Sequence, residues 1–193
     1  MKTELYNTLR SLQNNGVILY PTDTVWGIGC DATDEKTVER VFKIKQRIES
    51  KSLIILVDSL EMLRKYVEEV PDIILKTLES FHKPTTVIYK NPKPACRRGR
   101  GLANNVIASD NTVAIRIVQD KFCKELIKKF GKPIVSTSAN NSGKPTPKLF
   151  KEIEVSILDA VDYVVNLRQN KMSNTHSAIV KVNDEGGVEV IRK

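Results

Sequence analysis

Side chains able to bind a ligand through oxygen and cationic nitrogen gather at three places in this chain. In Leu19-Tyr20-Pro21-Thr22-Asp23-Thr24-Val25-Trp26-Gly27-Ile28-Gly29, a β-type apolar run breaks abruptly into hydroxyls, a carboxylate and two glycines. Pro21 is expected to stop the ladder of a strand over 17–20, and Gly27 and Gly29 to allow a close backbone approach or a positive φ. Thr22, Asp23 and Thr24 then offer oxygens at close quarters, as a ligand loop would. A plain strand-to-loop turn, in which Thr and Asp satisfy the backbone, uses the same residues. Pro133-Ile134-Val135-Ser136-Thr137-Ser138-Ala139-Asn140-Asn141-Ser142-Gly143 repeats the pattern, and Phe42-Lys43-Ile44-Lys45-Gln46-Arg47 ends an amphipathic helix with cations. Such residues bind and orient; they do not make a nucleophile. Ser138 has no Gly-x-Ser-x-Gly elbow around it, and neither His82 nor His176 lies in a box resembling a triad partner. Cys30, Cys96 and Cys123 are odd in number and far apart, which reads as reduced thiols. With only two histidines they assemble no zinc-type cluster, so no structural metal is expected.

The elements that must position these residues alternate between strand and helix, without an internal repeat or low-complexity tract. Leu5, Leu9 and Leu12 form a short helical stripe ahead of the strand at 17–20. Asp34 is a candidate N-cap for a helix carrying Glu35 in its first turn and Val38, Val41 and Phe42 along its face, which puts Lys45 and Arg47 near its C-terminal end. A buried strand is expected at 53–57, a helix capped by Asp58 through 66, and another from Pro71 to about 80. Strands follow at 85–90 and 113–118, then a helix opened by Asp120 and closed by Gly131, then a strand at 133–136. The remaining strands fall at 163–167, 177–182 and 188–191, with Asp184-Glu185-Gly186-Gly187 as a hairpin turn. This order predicts an α/β fold with a mixed sheet.

The three segments, at their spacings, resemble the YrdC family of threonylcarbamoyl-AMP synthases. The Pro21-Thr22-Asp23-Thr24-Val25-Trp26-Gly27 box, the Lys-x-Arg pair at Lys45 and Arg47, and the Ser-x-Asn pair at Ser138 and Asn140 occur in the family's order. Thr112-Val113-Ala114-Ile115-Arg116, Gly143-Lys144-Pro145-Thr146-Pro147, and Ser177-Ala178-Ile179-Val180 followed by Ile191-Arg192 extend the likeness over essentially the whole chain. The resemblance implies a single YrdC-like domain over 1–193: a twisted open sheet of parallel and antiparallel strands with flanking helices and a basic concave face.

It also implies a nucleotidyltransferase chemistry, in which L-threonine, bicarbonate and ATP give threonylcarbamoyl-AMP and pyrophosphate, with Mg2+ accompanying the nucleotide. The product would pass to a tRNA threonylcarbamoyl transferase complex. Such a site needs charge neutralisation, in-line alignment and exclusion of water more than it needs an acid or base. By the resemblance, Lys45, Arg47, Ser138 and Asn140 form the catalytic set. Thr24, Arg116, Ser136 and Ser177 contact threonine, with the Arg116 guanidinium matched to its carboxylate. Arg47, Lys51, Thr112, Ser138, Thr146 and Arg192 contact ATP. A solvated helix end accounts for Lys45 and Arg47 equally well if they are taken alone, and turn satisfaction for each hydroxyl.

The chain departs from the family's pattern at two places. Ile48-Glu49-Ser50-Lys51-Ser52 follows Arg47 without the family's prolines, and Phe81-His82-Lys83-Pro84-Thr85-Thr86 replaces an aromatic-Pro-Gly-Pro segment. Length and composition suit one compact domain: 193 residues, 40% hydrophobic, with no run approaching the ~18 apolar residues of a membrane span. The amino terminus reads directly into an amphipathic pattern, so a cytoplasmic protein with no membrane partner is expected. The net charge of +8 attracts either nucleic acid or small polyanions. Much of it lies in a Pro- and Gly-containing basic loop at 90–101, which reads as a solvated surface segment or as a flap over an anionic ligand or RNA. A second class therefore stands beside the synthase: a YrdC-like paralogue that binds tRNA or rRNA without synthase activity. Weak RNA binding is compatible with both, though the chain has no basic-aromatic repeat for base stacking.

Overall fold

A computed structural model of the chain describes residues 1–46, 53–80, 83–94, 101–172, 176–183 and 186–192. Its elements run α1 (Lys2–Gln13), β1 (Ile18–Pro21), β2 (Trp26–Gly29), α2 (Glu35–Ile44), β3 (Ile54–Val57), α3 (Leu60–Tyr66), α4 (Asp72–Ser80), β4 (Thr85–Lys90), β5 (Thr112–Ile117), α5 (Lys121–Phe130), β6 (Ile134–Ser138), α6 (Val155–Ala160), β7 (Tyr163–Val164), β8 (Ala178–Val182) and β9 (Val188–Arg192). The strands form one mixed sheet in the order β7-β1-β2-β6-β3-β5-β4-β8-β9. Three pairs are parallel (β1 with β7, β3 with β5, β4 with β8) and the others antiparallel, and α3 and α5 pack against the central strands.

Helix ends follow the local chemistry. The Asp34 and Asp120 carboxylates accept from the backbone N–H groups of Thr37 and Cys123, as their N-cap positions require. Gly131 takes the left-handed conformation (φ 75°) that ends α5 without a Cβ clash. The cap expected at Asp58 belongs instead to Ser59, whose hydroxyl accepts from Met62 N; Asp58 accepts a hydrogen bond from that same hydroxyl. α5 buries Phe122, Cys123, Leu126 and Ile127, each large apolar side chain contributing about 1.5–3 kcal/mol by leaving water.

Three boundaries differ from expectation in ways that bear on the site. Pro21 ends the ladder as expected, but as the last residue of β1, opposite Trp26, at a strand end where its missing N–H costs nothing. Trp26–Gly29, read as ligand loop, is β2, hairpinned onto β1. Gly27 and Gly29 have negative or extended φ; what Gly29 provides is closeness, since a Cβ there would lie 2.5 Å from Val135 O and 2.7 Å from the Tyr20 ring. The strand expected at 133–136 runs on to Ser138, because β2 pairs with its end, Gly27 opposite Ser138. The tail strand at 163–167 shrinks to Tyr163–Val164, and α6 has no counterpart in the sequence reading.

Register then assembles one face. Ser136 lies opposite Ile54, Ile54 opposite Ala114, and Ala114 opposite Ile88. Alternate residues of a strand share a side, so Arg116 stands with Ala114 and Thr112, and Ser138 with Ser136. The other side of β3 and β5, at Ile55 and Ile115, is fully buried core.

Candidate functional site

On that face lies a cavity of about 370 Å³. Its apolar floor is Ile54, Ile88, Ala114 and Ile179, all only partly buried, which leaves a flat aliphatic surface for a planar or apolar ligand group. Around it stand Thr24, Arg116, Ser136, Ser138, Thr146, Ser177 and Arg192. Seven of the residues expected to contact ligands, from six separate chain segments, are thus brought together. A larger cavity of about 520 Å³ lies across the Thr22-Asp23-Thr24 turn, walled by Gln119, Asp120, Arg168 and Lys171. Its Arg168 is already engaged by Asp120 in two hydrogen bonds, so the smaller cavity has the better claim to an anion.

The turn itself is tied internally. Thr22 and Thr24 hydroxyls lie 3.0 Å apart, Thr22 Oγ1 donates to Val25 O at 2.7 Å, and it accepts from Thr24 N. This is the turn reading fulfilled, yet Thr24 Oγ1 also accepts from Arg116 Nη2 at 3.5 Å. Arg116 is 3% exposed and in ion-pair contact with Asp23 at 3.1 Å, without hydrogen-bond alignment; its Nε–H is buried with no acceptor. A buried donor left unpartnered costs about 1–3 kcal/mol, and an incoming carboxylate or phosphate oxygen would recover it.

Across the cavity, Arg192 donates from Nε and Nη2 to Ser177 O, and Ser177 Oγ shares a 2.9 Å hydrogen bond with Thr86. Burial first, and the Arg116 charge second, push the Arg192 guanidinium down from its ordinary value. Two guanidinium groups that feel each other across one cavity make a positive potential suited to a polyanion. His176, which the sequence reading left out of the site, also lines the cavity and is held below its usual 6.5 by burial and then by Arg192. Its position beside Ser177 was the available signal.

Lys45 lies at the C-terminal end of α2, as expected, and it is not the solvated cation that would explain it without a ligand. It is 1% exposed, and its ammonium donates to the carbonyl oxygens of Ser138 and Asn140, while Ser142 N donates to Lys45 O. Asn140 likewise faces inward, donating to Asn141 O and Lys144 O with its Oδ1 buried and unpartnered. Thr112 starts β5 on the site's face but outside the cavity lining, with its hydroxyl donating to Asp110. Beneath Ser136, Tyr20 is buried and its hydroxyl is pushed well above 10, chiefly by burial. Arg47, Lys51, His82, Cys96 and residues 95–100 of the expected flap lie outside the described residues. Among the described residues no group of three His, Cys, Asp or Glu side chains is placed to hold a metal, and no helix is long and apolar enough to cross a membrane.

Residues 10–193 match the Sua5/YciO/YrdC family model, whose description reads "Telomere recombination". A threonylcarbamoyl-AMP synthase of Pseudoalteromonas translucida is 33% identical over 156 residues, 80% of this chain and 81% of that protein. One of Vibrio cholerae is 30% identical over 194 residues, covering 98% and 96%. Among solved structures, P. abyssi Sua5 complexed with L-threonine superposes with a TM-score of 0.84 at 23% identity; it covers all of this chain, which spans 54% of that one.

Proposed function

The chain belongs to the Sua5/YciO/YrdC family, and from that premise we propose that it is a threonylcarbamoyl-AMP synthase, a nucleotidyltransferase that joins L-threonine, bicarbonate and ATP and releases pyrophosphate. The observation that carries this reading is the cavity in which Thr24 and a buried Arg116 with an unused Nε–H face Ser138, Thr146, Ser177 and Arg192 over an aliphatic floor. Threonine's carboxylate pairs with Arg116, and its hydroxyl and backbone atoms meet Thr24 and Ser136. The nucleotide base rests on Ile54, Ala114 and Ile88, with the phosphates drawn by Arg192 and, by family resemblance, Arg47 and Lys51. Threonine's amine forms a bond to the bicarbonate carbon, a C–O bond breaks and water leaves, and an oxygen of the resulting carbamate attacks the α-phosphate as pyrophosphate leaves.

The protein's contribution is alignment and charge neutralisation. Lys45 and Asn140 act by fixing the turn after β6 that carries Ser138. Mg2+ would travel with the triphosphate and would neutralise part of its charge, since the described residues lining the cavity include no carboxylate to hold it. The adenylate is then delivered to a tRNA threonylcarbamoyl transferase complex, in the cytoplasm. A cavity of about 370 Å³ whose described lining residues include no Phe, Tyr or Trp suits a small molecule better than stacked RNA bases, so the RNA-module alternative has only the net charge behind it.

Labelled bicarbonate incubated with ATP and each amino acid in turn tests the proposal. Pyrophosphate release and an acyl-adenylate should require both threonine and bicarbonate; release unchanged without threonine would remove the assignment.

A further inference from the structure

Asp23 lines the larger cavity and contacts Arg116, which lines the smaller one, and nothing in the proposed chemistry gives it a task. Its side chain is 11% exposed and reaches Arg116 Nη2 with Oδ1 and, at 3.4 Å, the Gln119 N–H with Oδ2. The carboxylate therefore ties the turn after β1, which carries Thr24, to Arg116 in β5 and to Gln119 just after it. Arg116 Nη2 reaches Thr24 as well, so one guanidinium nitrogen is turned toward this turn while Nε–H has no acceptor.

We propose that Asp23 is the positioning residue for substrate carboxylate recognition: it anchors Arg116 by Nη2 and leaves Nε–H as the donor that receives the carboxylate of the amino acid. A planar guanidinium has donors fixed in a fork, so pinning one nitrogen sets the direction of the others. An arginine this deeply buried also needs a countercharge when no ligand is bound. Asp23 supplies it from the side, and because the contact lacks hydrogen-bond alignment it does not consume the geometry that the ligand uses. The inference rests on the synthase reading and adds to it a residue that never touches substrate. It predicts selectivity of effect: disturbing Asp23 should weaken the amino acid and leave ATP alone.

The test is calorimetric binding of threonine and of ATP, with steady-state kinetics, for the wild type, Asp23→Asn and Asp23→Glu. Asp23→Asn keeps the shape and removes the charge; its threonine KM and Kd should rise tenfold or more while ATP binding stays within about twofold. Retained ATP binding also shows that the variant has folded. Asp23→Glu changes the shape and keeps the charge, and should lie closer to wild type for threonine than Asp23→Asn does. A purely structural residue would reverse that order or weaken both ligands together, and either result overturns the inference, as does an unchanged threonine KM in both variants. A wild-type protein that binds ATP but takes up no threonine would instead overturn the functional reading, and this inference with it.

Discussion

The ammonium of Lys45 donates to the carbonyl oxygen of Ser138, 93 residues further along the chain. With the second bond to Asn140 O, the C-terminal end of α2 is fastened to the turn that leaves β6. Lys45→Met is therefore expected to lower stability by about 2–4 kcal/mol, because two buried carbonyls lose a charged donor. Thermal denaturation should show a fall of about 5–15 °C for a chain of this size. A lysine that served only to meet phosphate would leave Tm unchanged or raised on removal, with activity alone lost.

Gly29→Ala tests the closeness of β2 and β6. The added Cβ would meet Val135 O at 2.5 Å and Tyr20 at 2.7 Å, and neither a strand carbonyl nor a fully buried ring can move aside cheaply. Overpacking of this kind costs about 1–3 kcal/mol. Urea denaturation should report the loss, with a larger effect than Gly187→Ala, where the added Cβ would come no nearer than 3.4 Å to the Asn183 side chain; equal effects would show that β2 can shift away.

Asp120 and Arg168 provide an acid-dependent tie. Burial pushes the Asp120 carboxyl up, but hydrogen bonds from Arg168 and Cys123 outweigh it and hold the group below its ordinary value. A carboxyl depressed in the folded state stabilises above its unfolded pKa of about 3.9, and that stability is lost as pH falls through the folded pKa. Asp120→Asn retains an N-cap side chain but not the charge. It should be less stable than wild type by about 1–3 kcal/mol at pH 7, with the difference vanishing in acid. A gap that persists at pH 2, where both side chains are uncharged, would show that the charge is not its source.

His176 should report ligand charge. Its pKa is lowered from 6.5 by burial and by Arg192, so the imidazole is mostly neutral at pH 7 in the free protein. A polyanion in the cavity favours the imidazolium, so ATP should raise the His176 pKa, and ATP affinity should increase as pH drops from 7 toward 6. NMR titration of the imidazole with and without ATP measures this; an unmoved pKa would place the phosphates away from β8.

Much of the frame is legible in the residues. The apolar runs at 54–57 and 113–117, the carboxylates at Asp34 and Asp120, and Gly131 announce their elements through local chemistry. β2 is hidden because Trp26-Gly27-Ile28-Gly29 has half its residues of the least strand-favouring type; its strand exists because Tyr20 and Val135 leave room only for glycine. Ser59 and Asp58 can each cap a helix, and only the backbone decides which does. In the site, Arg116, Thr24, Ser177 and Arg192 follow from their segments. The inward turn of Lys45 and the contact of Asp23 with Arg116 do not, since both depend on partners about 93 residues away in sequence, and no local spacing encodes them.

The strand order has a consequence for biosynthesis. β3, β5 and β6 lie side by side in the middle of the sheet although other elements intervene between them in the chain, and β9 supplies Arg192 at one edge. Contacts of such long sequence separation form late and slowly. A ribosome must therefore deliver the chain as far as β9 before the cavity lined by Arg192 is complete. Until then the half-made sheet exposes the unpaired flank of β4, where β8 will dock. That interval, more than the finished protein, is when this chain is vulnerable to joining its strands to those of a neighbour.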